Sequence, residues 1–357
     1  MENLNLNALF RDFRTELASH PNAREMDYVK FFFQGIMGVG HLLDNEESVR
    51  AAVEQEMNTI GPGPDEPLIT PIGAQYMRLN LRPAKAAGYS AETIARMMLC
   101  SDSSAFSRED VIKACRLYTE DHFPLRVVSE IRNHADSLYV RDFFPTHTEA
   151  YRKAYAPAYR VVSRYYEDLL PAILRIQQLL DASDGPCLVT LDGPCASGKT
   201  TMTERLGRLF GAVVLHTDEY VVPHARKTAE RLAIPGGNCE WERLTEEALI
   251  PWKENRNCWL QPYDCHADVL KPGIEVKPAG LMILEGSYSN LPAIRKLADL
   301  RLFAATSLDV RMERLRKRES AASFKQFETR WIPLENAYFE AYGLPDDGCL
   351  RIVSTHS

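Results

Sequence analysis

Hydrophobic residues in the first half of the chain recur at the spacing of one face of a helix. The stretch 4–17 shows this pattern and stops at His20-Pro21-Asn22, where proline cannot continue a helix. The same pattern predicts further helices over residues 27–43, 48–60, 90–99, 108–121, 125–138 and 169–180. In residues 69–81 apolar and polar side chains alternate, which predicts a short strand or hairpin. Residues 1–182 are therefore expected to form a mainly α-helical domain.

Residues 143–166 combine tyrosines with basic side chains. The tyrosines of this stretch are Tyr151, Tyr155, Tyr159, Tyr165 and Tyr166. Several lie four positions apart, so a helix pair whose tyrosines pack on the neighbouring domain is the favoured interpretation. Aromatic rings beside cations also bind anions or stack on bases, and this alternative stays open.

The second half of the chain changes to short, almost wholly apolar runs, which are typical of buried parallel strands. They predict strands at 187–191, 212–216, 280–284 and 300–304, with a closing edge strand at 350–354. Residues 200–210 predict an amphipathic helix, whereas residues 221–278 predict a long irregular binding loop or lid. Residues 183–357 are therefore expected to be an α/β domain, a parallel sheet flanked by helices.

A glycine-rich stretch follows the first predicted strand and leads into the amphipathic helix. It fits the pattern G-x-x-x-x-G-K-[ST]. In such a loop, backbone N–H groups and the helix N-terminus bind phosphate, the lysine reaches the outer phosphates, and the hydroxyl binds Mg²⁺. The motif predicts a P-loop NTPase domain with ATP and Mg²⁺ as ligands, bound by Gly193, Ala196, Ser197, Gly198, Lys199, Thr200 and Thr201.

Two acidic residues stand at the ends of predicted strands, the edge at which parallel α/β sheets bind ligands. Asp218 follows the second strand. A carboxylate there can accept the proton of a substrate hydroxyl that attacks the γ-phosphate, so Asp218 is the predicted base, with helix capping as the alternative. Glu285 ends the third strand and is predicted to orient magnesium together with Thr200.

Residues 309–320 predict a strongly basic helix after the fourth strand. The favoured interpretation is a lid that neutralises charge on the transferred phosphate, and a solvated basic helix is the alternative. Arg314 and Arg318 lie one helical turn apart and are expected to face the same side. We assign these two arginines and Lys199 to catalysis, and Arg311 to nucleotide binding.

The predicted binding loop and the residues before it hold side chains that suit a small polar substrate. Rings can stack on the substrate, and polar groups can donate or accept hydrogen bonds. Trp241 also fits the role of a core anchor. The predicted substrate-binding residues are Tyr220, Trp241, Tyr263, Asp264 and His266.

Composition and charge argue against several other functions. The chain has 357 residues, 45% hydrophobic and 25% charged, which suits two globular domains. A net charge of −7 gives no general attraction to nucleic acid or to an anionic membrane, so neither partner is expected. Eight cysteines without metal-site spacing, and no leader or spanning segment, predict a cytoplasmic protein. The oligomeric state, including a homo-oligomer, stays open.

Three residues raise additional hypotheses. His41, in a glycine turn, and His134 could belong to a second site in the N-terminal domain, although close helix packing is the favoured interpretation. Cys195 lies in the predicted phosphate loop and could be redox-sensitive if its pKa were lowered. A small residue tolerated at that position is the favoured explanation.

Five segments in order, GPCASGKTT, HTDEY, QPYDCHAD, LMILEGSYS and DVRMERLRKRE, resemble the motif series of the uridine kinase-like P-loop kinases. That group also includes bacterial pantothenate kinase and phosphoribulokinase, and HTDEYVVPH is closer to the pantothenate kinase form. The resemblance spans about residues 185–355, and the N-terminal half has no counterpart. It implies base, magnesium, lid and substrate roles for Asp218, Glu285, Arg311, Arg314, Arg318, Tyr263, Asp264 and His266.

These patterns predict an ATP-dependent phosphotransferase that moves the γ-phosphate to a hydroxyl of a small molecule, a nucleoside or another small metabolite. One alternative is a nucleotide-gated ATPase that acts on a protein partner through the N-terminal domain. Another is a bifunctional enzyme with a second site in residues 1–182.

Overall fold

The computed structural model describes residues 5–38, 45–62, 65–101, 105–140, 142–265 and 267–354. The chain divides into two compact units, Met1–Glu167 and Asp168–Ser357. Within the described ranges, no helix combines the length and the apolar character that crossing a membrane requires.

Helices make up most of the N-terminal unit. They are α1 Leu6–Ser19, α2 Glu25–Met37, α3 Glu46–Thr59, α4 Leu81–Ala87, α5 Ala91–Leu99, α6 Arg108–His122, α7 Leu125–Asp136 and α8 Glu149–Tyr155. An antiparallel sheet accompanies them, ordered β1 Ile69–Pro71, β2 Tyr76–Asn80 and β3 Tyr159–Ser163. The mainly helical class predicted for this half is confirmed, and the hairpin predicted at 69–81 is formed by β1 and β2.

Aromatic rings form the core of the N-terminal unit. Phe13 on α1, Phe32 on α2 and Tyr118 on α6 are buried. The ring centroid of Phe13 lies 4.6 Å from that of Phe32 and 5.0 Å from that of Tyr118. Burying each of these rings stabilises the fold by about 1.5–3 kcal/mol relative to exposing it, which explains why the amphipathic pattern is so clear.

The stretch 143–166 differs from the predicted helix pair. Its first part is helix α8, but Tyr159–Ser163 is strand β3 and pairs with β2. The helix ends because Ala156 adopts a left-handed φ of 41° and a proline follows. Tyr151 and Tyr159 contact residues of their own unit: the Tyr151 hydroxyl donates to Glu16 at 2.9 Å, and the Arg78 guanidinium lies 4.6 Å from the Tyr159 ring.

The C-terminal unit is an α/β structure. Its strands are β4 Cys187–Asp192, β5 Val213–His216, β6 Cys258–Leu260, β7 Tyr263–Asp264, β8 Val269–Leu270, β9 Ile274–Val276, β10 Leu281–Glu285, β11 Leu300–Ala305 and β12 Cys349–Val353. Its helices are α9 Leu170–Ala182, α10 Lys199–Phe210, α11 Ala229–Ala233, α12 Trp241–Leu244, α13 Ile250–Lys253, α14 Pro292–Arg295, α15 Leu308–Arg318, α16 Ala321–Gln326 and α17 Ile332–Tyr342.

Five strands form the central sheet in the order β12-β11-β4-β10-β5, and every pair is parallel. Helix α9 packs against β4, β11 and β12, and α10 packs against β4, β5 and β10. The predicted fold class, a parallel sheet flanked by helices, is confirmed, with β12 at the edge as expected. Because the strands are parallel, their carboxyl ends meet at one edge, and this edge carries the site.

The region 221–278 is more regular than the predicted loop. Helix α12, a π-helical turn at Thr245–Leu249 and α13 follow one another without a break. Leu244, Ala248 and Trp252 are buried at helical spacing on this segment. The Trp252 indole donates to the Cys187 carbonyl at 3.0 Å, which fastens the insertion to β4. The irregular-loop prediction was therefore wrong for this segment.

Candidate active site

The phosphate loop lies between β4 and α10. Its backbone is left-handed at Gly193 (φ 142°), Ala196 (φ 57°) and Gly198 (φ 94°). A Cβ on Gly193 would lie 2.7 Å from the carbonyl oxygen of Ala304, so the turn requires glycine. The turn leads into the first turn of α10, where backbone N–H groups have no partner within the helix. This is the geometry of a phosphate-binding loop.

Lys199 is the first residue of α10, and its side chain turns back into the loop. Its Nζ donates to the carbonyl oxygens of Gly193 at 2.8 Å and Pro194 at 3.0 Å. The side chain is buried. Its positive charge opposes the rise in pKa of two nearby carboxyls, Asp192 and Asp218. Lys199 therefore supplies the positive charge at the centre of the loop.

Thr200, His216 and Glu285 meet at the carboxyl edge of the sheet. Glu285 on β10 stands opposite His216 on β5 in the strand register. The Thr200 hydroxyl donates to Glu285 Oε1 at 3.2 Å, and His216 Nδ1 lies 2.6 Å from the same oxygen. The hydrogen bond to Glu285 raises the pKa of His216. His216 was not a predicted site residue, although its place at the end of the second apolar run could have indicated it.

This corner of the site fits a magnesium ion that is shared with phosphates. The Thr200 hydroxyl and the Glu285 carboxylate are hard oxygen donors of the kind that Mg²⁺ prefers. In the part of the chain that the structure describes, no three acidic, histidine or cysteine side chains form a metal site by themselves. An ion here would therefore take its other ligands from phosphate oxygens and water.

Asp218 is placed by a 3₁₀ turn, Thr217–Glu219, that directly follows β5. The Thr217 hydroxyl donates to the Ser287 carbonyl at 2.9 Å, and a Cβ on Gly286 would lie 2.0 Å from that hydroxyl oxygen. Glycine at 286 therefore lets the ends of β5 and β10 approach closely.

The electrostatic surroundings of Asp218 favour a proton acceptor. Solvent reaches the side chain, yet protein atoms crowd the carboxyl, and this desolvation is the largest cause of a raised pKa. The negative charges of Glu285 and Glu335 add to the rise, whereas Lys199 and His216 oppose it. A carboxylate with a raised pKa is a stronger base, which suits the role predicted for Asp218.

Asp192 was missed by the sequence analysis. It is the last residue of β4 and is fully buried. Its Oδ1 accepts a hydrogen bond from the Gly193 N–H at 2.7 Å, and its Oδ2 accepts from the Asn290 N–H at 2.9 Å and the Tyr338 hydroxyl at 2.7 Å. Burial raises the pKa of Asp192 to about 6. An acidic residue at the end of an apolar strand is the signal that could have found it.

Glu335 on α17 was also missed, and it holds the phosphate loop from another side. Its Oε1 and Oε2 lie 3.1 and 2.9 Å from the Cys195 N–H nitrogen, and Oε1 accepts from the Ser287 hydroxyl at 2.6 Å. Arg311 donates from Nε to the Cys195 carbonyl at 2.8 Å. Both backbone polar groups of Cys195 are thus held by charged side chains. No local pattern marks Glu335, because the contact spans 140 positions.

The three predicted lid arginines on α15 have different surroundings. Arg311 is buried, and its observed partners belong to the phosphate loop and to Glu335. Arg314 donates to the Ala196 carbonyl at 3.3 Å and therefore lies over the loop. Arg318 is the last residue of α15, and its guanidinium pairs with Glu319 at 2.7 Å. Arg314 and Arg318 thus make different contacts, and their catalytic roles stay predictions.

The Cys195 thiol is not of the reactive kind. Desolvation is the main cause that raises its pKa to about 11, and the Glu335 charge adds to the rise. A thiol with this pKa is protonated at neutral pH and is a poor nucleophile. The redox hypothesis required a lowered pKa, so the raised pKa favours the other explanation, a small residue tolerated at this position.

Four of the predicted substrate residues lie in the described part of the chain, and each of them contacts neighbouring protein groups. Tyr220 is fully buried beneath the Arg243 guanidinium, which lies 4.5 Å from the ring, and Trp241 packs against the same core. Tyr220 therefore offers a ligand almost no surface. The Tyr263 hydroxyl donates to Asp268, while Asp264 accepts from the Ala267 N–H at 3.1 Å, so both contact their own hairpin.

Two predicted histidines, His266 and His41, lie outside the described residues. His134 is on α7 and is only partly exposed.

A cleft of about 440 Å³ adjoins the phosphate loop. Pro194 and Arg311 lie on the loop side, and Phe303, Phe339 and Arg351 are also part of the wall. Aromatic rings beside guanidinium groups can stack on a planar ring system. The cleft therefore offers a surface for a base next to the phosphate site.

Comparisons with known proteins give limited information. No family model matches the chain. A curated relative, described as inorganic pyrophosphatase TTM2 of Arabidopsis thaliana, is 31% identical over 140 residues, which are 37% of this chain. The match spans about a fifth, 20%, of that relative's length.

Several solved structures resemble the chain. One is titled a possible uridine kinase from Bacillus stearothermophilus, with 18% identity, TM-score 0.38, and coverage of 51% of this chain and 100% of the other. A candidate fructose transport system kinase from Silicibacter sp. TM1040 has 20% identity, TM-score 0.40, and coverage of 49% and 97%. The YGR205w protein has 15% identity, TM-score 0.34, and coverage of 53% and 93%.

Because the TM-scores are only 0.34–0.40, these similarities add no information about the fold beyond the strand order of this chain. The phosphate loop and the parallel sheet already establish a P-loop fold for the C-terminal unit. Two of the three titles name kinases.

Proposed function

We propose that the C-terminal unit transfers the γ-phosphate of ATP to a hydroxyl group of a small molecule. The observation that supports this best is the convergence of three groups at one sheet edge. The Lys199 ammonium lies in the phosphate loop, the Thr200–Glu285 pair lies beside it, and Asp218 is close enough to sense the charges of Lys199 and Glu285. Phosphoryl transfer needs a phosphate cradle, a magnesium position and a group that takes a proton.

In this proposal the loop amides and Lys199 hold the outer phosphates, and the base of the nucleotide lies in the cleft beside Arg311. Thr200 and Glu285 would hold Mg²⁺, which supplies positive charge to the β- and γ-phosphates when bound. Arg314, above Ala196, is positioned to neutralise charge that develops on the transferred group. Glu335 and Asp192 contribute by fixing the loop through the N–H groups of Cys195 and Gly193.

Asp218 acts as the base in the proposed reaction. The substrate hydroxyl gives its proton to the Asp218 carboxylate, and its oxygen forms a bond to the γ-phosphorus as the bond to the β-phosphate oxygen breaks. ADP and a phosphate monoester are the products. The raised pKa of Asp218 favours this transfer, because the carboxylate holds the proton more strongly than an ordinary aspartate.

Tyr288 and Asn238 are proposed to contact the acceptor. Desolvation is the main cause that raises the pKa of Tyr288, and the charge of Asp218 adds to the rise, so the two side chains are close enough to interact. Asn238 and Tyr288 line one small cavity of about 40 Å³, which has room for a substrate hydroxyl group but not for a whole molecule. Tyr288 adopts a φ of 79°, a costly conformation for a large side chain that is typical of functional sites. Asn238 Oδ1 is buried without a hydrogen-bond partner among the described residues, so it is available to a substrate hydroxyl.

Hydrolysis is a second candidate, because the curated relative is described as a pyrophosphatase. The same groups could act on water in place of an organic hydroxyl, with Asp218 as the base. The two functions differ in one observable. A kinase consumes ATP in proportion to an acceptor, whereas a hydrolase releases phosphate from ATP or pyrophosphate alone.

The test is ATP consumption by the full-length protein with Mg²⁺, measured against pooled nucleosides, vitamins, sugars and hydroxy acids. We expect one pool to raise ADP release in the wild type and not in Lys199→Ala. Release of phosphate from ATP or pyrophosphate at a rate that no pool changes would refute the kinase proposal. That result would favour the hydrolase or a nucleotide-gated switch.

A further inference from the structure

The N-terminal unit contains a cavity of its own, with a volume of about 470 Å³. This volume suits a molecule of metabolite size. Helices α2, α3 and α5, strand β3 and the segment before α8 form its wall. Much of the wall is apolar, as shown by Phe33, Val49, Met98, Phe144 and Val161.

Lys30 on α2 brings a positive charge to this wall. The structure shows no hydrogen bond and no ion pair to its ammonium group among the described residues. Desolvation lowers the pKa of Lys30 to about 8, and the charge of Arg78 acts in the same direction. Asp27 opposes the change only in part. A desolvated ammonium gains most from a bound anion, because it has lost water without gaining a protein partner.

The other charged groups at or beneath the cavity are already paired. Arg160 on β3 contacts Glu56 on α3 at 2.6 Å. The buried Arg78 guanidinium donates from Nη1 to both carboxylate oxygens of Glu16, each at 2.9 Å. These two pairs cancel in charge.

The Asp27 carboxylate is not part of the wall, and it accepts hydrogen bonds from the Arg24 N–H, from His147 and from Thr148. Lys30 is therefore the charged group of the wall that has no hydrogen bond and no ion pair among the described residues.

A fixed hydrogen-bond chain forms the polar part of the wall. His147 Nδ1 lies 3.0 Å from an Asp27 oxygen, and the Tyr159 hydroxyl lies 2.5 Å from His147 Nε2. Desolvation lowers the pKa of His147 to about 4, so the ring is neutral at pH 7. Asp27 then accepts a hydrogen bond from the Nδ1–H group, and Nε2 faces the Tyr159 hydroxyl. His147 adds no positive charge to that of Lys30.

We propose that this cavity binds a small organic carboxylate. The carboxylate group pairs with Lys30, and the apolar body of the ligand contacts the side of the cavity formed by Met98 and Phe144. A monoanion matches the one unpaired ammonium, whereas a phosphate dianion would leave a negative charge without a partner in partly apolar surroundings. Every residue of this site belongs to the N-terminal unit, so the proposal does not depend on the kinase reaction.

The test uses the full-length protein and saturation-transfer NMR titrations with phenylacetate, 4-phenylbutyrate and octanoate. Each acid is compared with its own amide, which keeps the shape and removes the charge. We expect at least one acid to bind about tenfold or more tightly than its amide, because a partly buried charge-assisted hydrogen bond is worth that factor. If no acid is preferred over its amide, the proposal is wrong.

Two variants locate the binding. Lys30→Met and Lys30→Gln should each abolish the preference for the acid and should not lower the melting temperature, because they remove a desolvated charge. Lys153→Met, at an exposed lysine on α8, is the matched control and should bind as the wild type does. A folded Lys30→Met or Lys30→Gln protein that keeps the preference for the acid would overturn the assignment.

Discussion

Replacing Glu335 tests how the phosphate loop is held. The carboxylate accepts from the Cys195 N–H and from the Ser287 hydroxyl at 2.6–3.1 Å. Glutamine keeps the shape and one acceptor oxygen, but its amide nitrogen faces a donor where the second oxygen was. A hydrogen bond to a buried charge contributes about 1.5–3 kcal/mol. The neutral amide also leaves the buried Arg311 guanidinium, 3.8 Å away, without its counter-charge.

We therefore expect Glu335→Gln to lower the free energy of unfolding of the C-terminal unit by about 2–3 kcal/mol. Glu335→Leu removes both acceptors and should cost about 3 kcal/mol or more. Because the loop amides bind phosphate only when the loop is fixed, ATP affinity should fall about three- to tenfold in Glu335→Gln.

Tryptophan fluorescence in a urea titration measures this effect selectively. All tryptophans of the chain lie in the C-terminal unit, at Trp241, Trp252, Trp259 and Trp331. A change in midpoint at constant slope reports stability. Glu340→Gln, an exposed glutamate on the same helix, is the matched control. If the two glutamine variants unfold at the same urea concentration, the Glu335 carboxylate does not hold the loop.

Three further changes have definite expected outcomes. Lys199→Met should weaken binding of a fluorescent ATP analogue at least about 100-fold, because the positive charge at the centre of the phosphate loop is lost. Lys296→Met, at an exposed lysine, is the control and should bind the analogue as the wild type does. If the two variants bind the analogue equally well, Lys199 does not hold the phosphates. Gly286→Ala must accommodate a Cβ at 2.0 Å from a neighbouring oxygen at a φ of 125°. It should lower the free energy of unfolding by about 2–4 kcal/mol, and an effect no larger than that of the exposed Gly185→Ala would refute the close approach. Because the pKa of His216 is raised in the folded protein, the protonated ring and its hydrogen bond to Glu285 stabilise the fold, and the full effect is present below about pH 6.5. This stabilisation is lost as the pH rises through the pKa of His216 in the folded protein. The difference in unfolding free energy between the wild type and His216→Gln should therefore become smaller from pH 6 to pH 9. A difference that stays constant over this range would show that the charge of His216 does not stabilise the fold.

The elements that the sequence predicted correctly are those with strong local patterns. The strands β4 and β10 at the centre of the sheet are buried on both faces and are nearly pure apolar runs, so their positions and their parallel pairing could be predicted. The phosphate loop followed from glycines whose left-handed backbone other residues rarely adopt. In each case the decisive residues are neighbours in the sequence.

The incorrect predictions fell where distant contacts decide the structure. Tyr159–Ser163 continues a tyrosine pattern that favours helix, but pairing with β2 makes it a strand. The helical segment that includes Trp252 lies in a stretch rich in proline and asparagine, and burial against β4 decides its structure. Such tertiary contacts override local preference.

Site residues that belong to a local sequence pattern could likewise be predicted, whereas those placed by contacts with distant parts of the chain could not. Lys199 and Thr200 follow from the motif, and Asp218 and Glu285 follow from their positions at strand ends. Glu335 could not be inferred, because a glutamate on a distant helix acquires its role only when the chain folds. The catalytic roles of all these residues are proposals that rest on their geometry.

Transfer of labelled γ-phosphate from ATP in the wild type and in Asp218→Asn tests whether this protein is a phosphotransferase with Asp218 as its base. Asparagine has the shape of aspartate but cannot accept the proton as a base. With the acceptor pool that raises ADP release, we expect a labelled phosphate monoester in the wild type. In the variant we expect the transfer rate to fall at least about 100-fold, with ATP affinity changed less than about threefold. A variant that still transfers label at the wild-type rate would show that Asp218 is not the base.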